Sequence, residues 1–435
     1  MIVDFDDHEN GHRFESDVCI VGGGAAAITI AREFFSTNIS VVMLESGGTR
    51  WEVDTQELYR SEVVGVPHKG IHSGRARVLG GTTTLWAGQT LPLDEIDFAR
   101  RLWVAHSGWP LERGELEPYY RRAEEILHLR PLDYEAREWP FPNQRPPAYD
   151  LALMRPVIAQ FSPKPDFAAA YRGELSAATN VKVVLHANVV KLRTNDDASE
   201  AREVEIKSLT GKQGQAKARA YIICCGGIET PRLLLASDDS EKNGLGNRHD
   251  MVGRFFQDHL QAFLSPVRLN QPDAALVHFE PFYWRGIAYG PRAVLSASLQ
   301  RQRSALNATL GLIRRGFAEE NSATEAAKRI VKGIFQRFCQ TSRSRSAQHD
   351  GKSNGGHRER LPKIRPAQTG LPDDGRSPCR YSVRMRTDAV QPRNAERGDR
   401  SAWDAANQTG LATDTVSDPY GGSRPRSIRK RIEAA

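Results

Sequence analysis

A glycine-rich turn between a strand and a helix constrains this chain more than any other part of its sequence. Residues 17–22, DVCIVG, predict a buried strand, and residues 25–35 carry apolar side chains at helical spacing. A second apolar strand, SVVMLE, then ends at Glu45. Strand, helix and strand within about 30 residues make a β-α-β unit. The sequence therefore predicts a parallel sheet with helices packed on it.

The turn has the pattern G-x-G-x-x-A at Gly22, Gly24 and Ala27. Gly22 permits the tight turn, and Gly24 lets the backbone approach a pyrophosphate with no Cβ in the way. Ala27 allows the helix to pack closely on the sheet, while the helix start supplies unpaired N–H donors and a positive dipole end. Glycine runs also make ordinary turns, but the flanking strand and helix favour a dinucleotide-binding site.

An acidic residue, Glu45, closes the second strand 23 residues after Gly22. A carboxylate in this position accepts hydrogen bonds from the ribose hydroxyls and repels a 2′-phosphate. NADP is therefore disfavoured, whereas this motif fits FAD and NAD equally well.

A second cluster of glycines and hydroxyl residues, RVLGGTTTLWAG, spans residues 77–88. Paired glycines and consecutive threonines suit a loop that offers N–H and O–H donors to an anion, although an ordinary Ser/Thr-type turn has the same composition. The segment resembles the loop that closes over the flavin in the glucose-methanol-choline family of alcohol and sugar oxidoreductases. This resemblance implies FAD as the cofactor, with Gly80, Gly81 and Thr82 facing the phosphates. It is strongest to bacterial sugar and gluconate dehydrogenases, which carry Trp at the position of Trp86.

Three further stretches resemble the same family in the same order. They are residues 92–127, residues 186–190 (HANVV), and residues 224–237 (CCGGIETPRLLLAS) leading into residues 252–260 (VGRFFQDHL). The resemblance implies that the main chain of Val189 meets the adenine. Gly226 and Gly227, between a strand and a helix, form another place where the backbone can approach a bound cofactor.

The charge of the chain is unevenly divided. The net charge is +7, but residues 336–435 contain 17 Arg and 3 Lys against 11 acidic residues, which leaves the first 335 residues with a net charge of −2. A basic surface for nucleic acid or membranes is therefore not expected in the folded part. No run of about 18 apolar residues occurs, so no membrane span is predicted.

The cysteines and the first residues bear on the compartment. Five cysteines are present, and their spacing fits neither a disulfide framework nor a metal site. Residues 1–17 lack the apolar stretch of a signal peptide. We expect a cytoplasmic protein without a bound metal.

Local patterns predict the remaining elements. Helices are predicted at 115–128, from near Pro231 onward, and at 322–338. Strands are predicted at 181–185 and 187–193. Residues 201–225 are predicted to form two strands followed by a third, AYIICC. From residue 261 to 313, polar and apolar residues alternate between Pro and Gly turns, which is typical of an antiparallel sheet.

These patterns predict an α/β protein with three parts. The first is a three-layer, Rossmann-like FAD-binding domain at 12–260, with excursions at 51–76 and 131–180, and the second is an incomplete antiparallel-sheet substrate domain at 261–335. Only 14 residues of 336–435 are Ile, Leu, Val, Met, Phe, Trp or Tyr. Such a segment cannot offset a backbone entropy cost of about 1–2 kcal/mol per residue. A disordered basic tail is expected there.

The chemistry implied by the resemblance is oxidation of a CH–OH group in a small-molecule alcohol or sugar. A histidine takes the hydroxyl proton while hydride passes to the flavin. In the family this histidine lies in the C-terminal part, beside a Gly-Thr turn, and no such segment is found here. His349 and His357 lie in Arg-rich sequence without strand or helix periodicity. No catalytic residue is assigned, and the same holds for His68, His72, His106, His186 and the Asp258–His259 pair, which are more typical of structural positions.

Several interpretations follow for the chain as a whole. The first is an FAD-dependent oxidoreductase impaired in this form, because the reading frame changes near residues 335–341 and unrelated sequence follows. A genuine disordered basic tail is the alternative origin of residues 336–435. A catalytically silent flavin-binding or partner-binding protein is the alternative function, and nucleic-acid binding through the arginine-rich tail is a third. No motif indicates the electron acceptor.

Overall fold

The computed structural model describes residues 1–65, 68, 74–134, 139–141, 147–267, 270, 276, 278–314 and 381–390. For residues 261, 263–267, 313–314 and 381–390 it describes the backbone alone. All of these residues belong to one compact unit, Met1–Gln391.

The elements, in chain order, are β1 (Ile2–Asp4), β2 (His12–Val21), α1 (Ala25–Glu33), β3 (Val41–Leu44), α2 (Val53–Glu57), β4 (Gln89–Thr90), α3 (Glu95–Phe98), α4 (Arg113–Ile126), β5 (Met154–Phe161), α5 (Phe167–Ala177), β6 (Val181–Leu185), β7 (Asn188–Thr194), β8 (Ala201–Lys207), β9 (Gln213–Ile223), α6 (Gly226–Ala236), β10 (Gln257–Val267), β11 (Phe282–Trp284), β12 (Ile287–Leu295), α7 (Ala297–Arg303), β13 (Ala308–Arg314) and β14 (Tyr381–Val390). Single 3₁₀ turns lie at Phe5–Asp7 and Gly81–Thr84.

The first sheet has seven strands in the order β1-β6-β3-β2-β9-β8-β7. The five strands from β1 to β9 in this order are parallel, and β8 and β7 continue the sheet in antiparallel fashion. Val21 pairs with Leu44 on one side and with Ile223 on the other. The carboxyl ends of β2, β3 and β9 therefore lie level at one edge of the sheet.

The two faces of this sheet are covered by different elements. Alternate residues of β2 and β3, such as Ile20 and Met43, pack with α1 and α5, where Tyr171 and Leu175 are buried. Their neighbours, such as Leu44, pack on the other face with Leu233 of α6. Burying each such side chain stabilises the fold by about 1.5–3 kcal/mol. Because the parallel strands carry these side chains on both faces, they form the centre of the fold. The predicted three-layer α/β architecture is confirmed.

The second sheet is antiparallel and has the order β10-β14-β13-β12-β5-β4, with β11 paired to β12. The sheet predicted from residue 261 onward is thus present. It also takes in β4 and β5, which come from the first 161 residues of the chain. Since β5 lies inside the predicted excursion at 131–180, this excursion serves both sheets: β5 joins the second, and α5 packs on the first.

Several predicted boundaries were wrong. Residues 213–223 form one continuous strand, where a hairpin strand and a separate strand AYIICC were expected, because β9 pairs with β8 early in its length and with β2 along most of it. Helix α6 begins at Gly226 and contains Pro231 within it, five residues after the start. The N-terminal residues of β1 extend the first sheet ahead of the predicted boundary at residue 12. The helix predicted at 322–338 lies outside the described residues.

One strand falls within the range where no regular structure was predicted. Residues 381–390, β14, pair antiparallel with β10 and with β13 and so lie between them. Their sequence, YSVRMRTDAV, alternates apolar and polar residues over its first six positions, which is typical of a strand. The low average hydrophobicity of residues 336–435 concealed this local pattern. The rest of the predicted tail lies outside the described residues.

Candidate dinucleotide site

Three turns that are far apart in sequence meet at the carboxyl edge of the parallel strands. The Gly80 N–H donates to the Gly23 carbonyl at 2.8 Å, and the Cys224 N–H donates to the Val21 carbonyl at 2.7 Å. A Cβ on Gly81 would lie 3.0 Å from the Cα of Gly24. The turn at 22–24 is therefore in direct contact with the Gly80 turn on one side and with the strand leading to Gly226 on the other.

Gly22 is fixed by its backbone as well as by its neighbours. Its φ is +107°, and an added Cβ would lie 2.6 Å from the Cys224 carbonyl oxygen. Residues with a side chain rarely adopt this conformation. The predicted requirement for glycine in a tight turn thus agrees with the geometry, and close packing against the end of β9 adds a second reason for it.

Two helices begin at this edge without a side-chain cap. Gly24 is the N-cap of α1 and Cys225 the N-cap of α6, and neither contributes a capping hydrogen bond. The first N–H groups of each helix therefore lack an acceptor within the helix. Gly226 and Gly227 are exposed, and no atom lies within 4 Å of a Cβ added at either residue. Open space beside free N–H donors is what a dinucleotide pyrophosphate requires, so these residues fit the group.

The Gly80 turn divides its predicted residues between the surface and the core. Gly80 is left-handed, with φ +93°, and packs on Ala168 of α5. Thr82 is exposed on the 3₁₀ turn, whereas Trp86 packs against the core and donates from Nε1 to the Pro165 carbonyl at 2.8 Å. Thr83, which the sequence did not single out, is buried and accepts the Phe167 N–H at 3.1 Å. Trp86 and Thr83 therefore anchor the loop to the domain.

Glu45 lies buried beneath the first glycine turn, with only 5% of its surface exposed. Its carboxylate accepts the Gly23 N–H at 2.6 Å and the Gly47 N–H at 2.8 Å. Burial raises the pKa of Glu45 to about 7, against the opposing effects of these N–H groups and of Arg77. The charge of the Glu45 side chain therefore depends on its immediate neighbours.

An arginine cluster, Arg75, Arg77, Glu229 and Tyr59, lies beside Glu45 and was not predicted. Glu229 contacts Arg77 at 2.7 Å and Arg75 at 3.1 Å, and all three side chains are at most 17% exposed. Both guanidinium groups lie over the Tyr59 ring, at 3.9 and 4.5 Å from its centroid. Burial alone would raise the pKa of Glu229, but the arginines more than offset it and lower that pKa. Only the motif RVLGG, which contains Arg77, could have drawn attention to this cluster.

The segment before Val189 is hydrogen-bonded to the loop that holds Glu45. The Ala187 N–H donates to the Glu45 carbonyl at 2.9 Å, and the His186 N–H donates to the Gly47 carbonyl at 3.2 Å. The His186 ring bridges Asp4 at 2.6 Å and Glu52 at 2.9 Å. Val189 itself pairs with Ile206 in the sheet, and its side chain is buried in the core. The adenine contact expected of its main chain stays a prediction.

The other histidines considered from the sequence have separate environments. His68 contacts Asp258 at 3.0 Å and packs edge-on against Phe256. His106 lies against the Phe255 ring, and His259 is exposed on β10. His72, His349 and His357 lie outside the described residues.

The described part of the chain offers neither a metal site nor a membrane span. Within those residues, no group of His, Cys, Asp and Glu side chains is arranged to hold a metal ion. None of the helices described there is long and apolar enough to cross a bilayer.

The first sheet and its covering helices define a Rossmann-like α/β fold, and comparisons with known proteins show which proteins the chain resembles. Residues 157–261 match the family model of GMC oxidoreductase. The chain is 22% identical over 319 residues to the fructose dehydrogenase large subunit of Gluconobacter japonicus, covering 56% of this chain and 58% of that protein. It is 24% identical over 316 residues to an oxygen-dependent choline dehydrogenase of Pseudomonas savastanoi, covering 58% and 53%.

A solved structure, pyridoxine 4-oxidase from Mesorbium loti, superposes with a TM-score of 0.37 at 18% identity, covering 68% of this chain and 66% of that one. The chain spans little more than half the length of the two curated relatives. The family match at residues 157–261 and the two curated relatives agree with the predicted resemblance to the glucose-methanol-choline family. The predicted resemblance is thereby confirmed, and it implies FAD as the cofactor.

Proposed function

We propose that this chain binds FAD along the groove at the carboxyl edge of β2 and carries the cofactor-binding half of an oxidoreductase for a small-molecule alcohol or sugar. The observation that supports this most strongly is the contact of the Gly22 turn with both the Gly80 turn and Cys224 at the end of β9, beside two uncapped helix starts. When bound there, FAD would supply the hydride acceptor for oxidation of the CH–OH group.

Different residues of the chain would bind different parts of the cofactor. The N–H groups at the starts of α1 and α6 face the pyrophosphate, and the exposed Thr82 hydroxyl offers a further donor. Glu45 faces the adenosine ribose: a carboxylate can accept about four hydrogen bonds, and Gly23 and Gly47 occupy only part of that capacity. Substrates of the kind named for the two relatives, a sugar and choline, fit a reaction at a CH–OH group.

The proton-transfer part of the reaction is impaired in this form of the protein. No residue of the described part is assigned as the base that takes the hydroxyl proton, and positioned proton transfer contributes about 10²–10⁴ to the rate. We propose that the chain retains FAD but turns over slowly or not at all, in the cytoplasm, where its free Cys19, Cys224 and Cys225 stay reduced.

Anaerobic flavin reduction tests this proposal. The purified chain should carry FAD, measured by its visible absorbance and by the fluorescence released on denaturation. A panel of alcohols and sugars should leave that absorbance unchanged or bleach it only slowly. An apoprotein that does not take up added FAD would reject the binding site, and turnover at about 1–10³ s⁻¹ would reject the impairment.

The proposed cause of the impairment has its own test. We propose that the reading frame changes near residues 335–341, since Arg outnumbers Lys by 17 to 3 from residue 336 onward and the expected histidine segment is not found. Translation of the gene in the other two frames should yield an apolar segment with a histidine and a Gly-Thr turn. If neither frame contains one, the frame change is wrong and a genuine tail remains.

A further inference from the structure

We propose that Arg77 is the positioning residue of the adenosine end of the groove: it holds the Glu45 carboxylate in its hydrogen-bonded place and couples the loop after β3 to the start of α6. This inference rests on the proposed FAD site and assigns a role to a residue outside the predicted set. It is carried by the contacts of both the side chain and the backbone of Arg77.

The side chain of Arg77 joins two elements that flank the groove. Its Nη2 lies 2.7 Å from Glu229 in the first turn of α6, and its Nη1 donates to the Ser46 hydroxyl at 3.1 Å. Ser46 directly follows Glu45 and lies with its hydroxyl 3.4 Å from the same carboxylate. The Arg77 side chain is 10% exposed, so these contacts are shielded from solvent.

The backbone of Arg77 fixes the loop that holds Glu45. Its carbonyl accepts from Gln56 Nε2 at 2.8 Å, and its N–H donates to Gln56 Oε1 at 2.9 Å. A Cβ added to Gly47 would lie 2.2 Å from the Arg77 carbonyl oxygen, so the two backbones are in contact. Since the Gly47 N–H is one of the two donors to Glu45, moving Arg77 would move that donor.

The charges around Glu45 make Arg77 the cation with the most direct effect on it. The groups that face Glu45 are the Arg77 guanidinium, the Tyr59 hydroxyl and the Cys225 thiol. Burial raises the pKa values of Tyr59 and Cys225 to about 12, so both are neutral near pH 7. Arg77 therefore opposes the burial that disfavours the Glu45 carboxylate. Arg75 and Arg232 both contact Glu229, so this acid keeps cationic partners when Arg77 is replaced.

The test compares Arg77→Met with Arg232→Met, a control that removes a cation from the same Glu229 carboxylate. Arg232 contacts Glu229 at 2.6 Å but has a side chain 47% exposed. Two measurements are made on each variant: titration of Glu45 by ¹³C NMR of glutamate-labelled apoprotein, assigned with Glu45→Gln, and FAD affinity by fluorescence quenching between pH 5.5 and 8.5. Arg77→Lys, which keeps the charge, covers the case in which Arg77→Met does not fold.

Removing the cation should disfavour the carboxylate. In Arg77→Met the Glu45 midpoint should rise by about one pH unit, and FAD affinity at pH 7 should fall about tenfold, with affinity restored at higher pH. Arg232→Met should change neither the Glu45 midpoint nor the FAD affinity. Arg77→Lys should have the wild-type Glu45 midpoint but should recover only part of the FAD affinity.

Other outcomes overturn the inference. An unchanged Glu45 midpoint in Arg77→Met, with affinity lowered equally at every pH, would show a merely structural role, and so would equal shifts in Arg232→Met. If the wild-type chain binds no FAD, the proposed function fails, whereas the Glu45 titration still decides whether Arg77 controls the carboxylate.

Discussion

The two ends of the proposed FAD site are built in different ways. At the pyrophosphate end the turns around Gly22, Gly80 and Gly226 bring backbone N–H groups together, and their geometry depends on the lack of side chains. At the adenosine end the side chains of Glu45, Arg77 and the half-buried His186 determine the geometry through charged hydrogen bonds. The first end should thus be sensitive to added atoms, and the second to protonation.

The largest effect should come from adding one methyl group at the backbone-built end. Gly22→Ala combines a φ of +107° with a Cβ 2.6 Å from the Cys224 carbonyl oxygen, and should lower the free energy of unfolding by about 3 kcal/mol. Gly211→Ala is the matched control, because Gly211 has a φ of +92° and no atom within 4 Å of the added Cβ. Equal losses in urea denaturation would show that backbone strain, and not packing on β9, makes Gly22 necessary.

Gly24→Val should separate binding from folding at the same end. Gly24 has an ordinary φ of −82°, and the nearest atom to an added Cβ is the Gly81 Cα at 4.0 Å. Melting temperature should therefore change little, whereas FAD binding should weaken by about 2 kcal/mol or more because the side chain occupies the pyrophosphate position. A loss of stability matching the loss of binding would contradict this separation.

Glu45→Gln should weaken FAD binding by about 1–2 kcal/mol through loss of charge-assisted hydrogen bonds. The variant should also change the pH dependence of the apoprotein. Because burial raises the pKa of Glu45 from 4.5 to about 7, the wild type should lose stability as the pH rises through this window. Glu45→Gln should remove that loss, as measured by denaturant midpoints at pH 5 and pH 8. Unchanged FAD retention on dilution would count against the ribose contact.

The smallest effect should come from His186, which links Asp4 and Glu52 and also lies near Asp6. Burial opposes its protonation, but the bonds to Glu52 and Asp4 raise its pKa overall. Its contribution is thus complete below about pH 6.5 and is lost as the pH rises through the raised value. His186→Gln should cost about 0.5–1 kcal/mol at pH 6 and nothing at pH 9.

A histidine with the opposite shift provides the control for this last prediction. Burial lowers the pKa of His128, so its neutral form is favoured and its contribution is lost as the pH falls. His128→Gln should therefore show its effect at pH 9 and not below pH 6. The same pH profile for both variants would mean that His186 acts through its shape alone.

The sequence allowed the backbone-built end to be predicted more fully than the side-chain-built end. Parallel strands place their carboxyl ends at one edge, so a local strand-glycine-helix pattern is enough to identify the turns that follow β2 and β9. The contact between Arg77 and Glu229 joins residues 152 positions apart, and no local pattern encodes it. Glu45 was found because its motif has a fixed spacing, whereas its partners Gly47 and Arg77 depend on how the loops fold.

The predictions that failed have a common cause in mixed local patterns. The apolar run at Val157, Ile158 and Ala159 of β5 lies in the predicted excursion at 131–180, where no strand was predicted, although it is fully buried in the second sheet. Helix α6 begins on two glycines, which are poor helix formers, and Pro231 suggested a later start. In both cases tertiary packing outweighs the local preference.

The pairing of β2 with β9 has a consequence for synthesis of the protein. Residues 12–21 pair with residues 214–223, so about 200 more residues must be synthesised before β2 can pair with β9, its neighbour on the side opposite β3. At about 5–20 residues per second on the ribosome, that delay is roughly 10–40 s. All residues assigned to the proposed FAD site lie before the end of α6, so they have been synthesised once the ribosome has passed residue 236. The elements of the proposed FAD site can thus come together while the rest of the chain is still being translated.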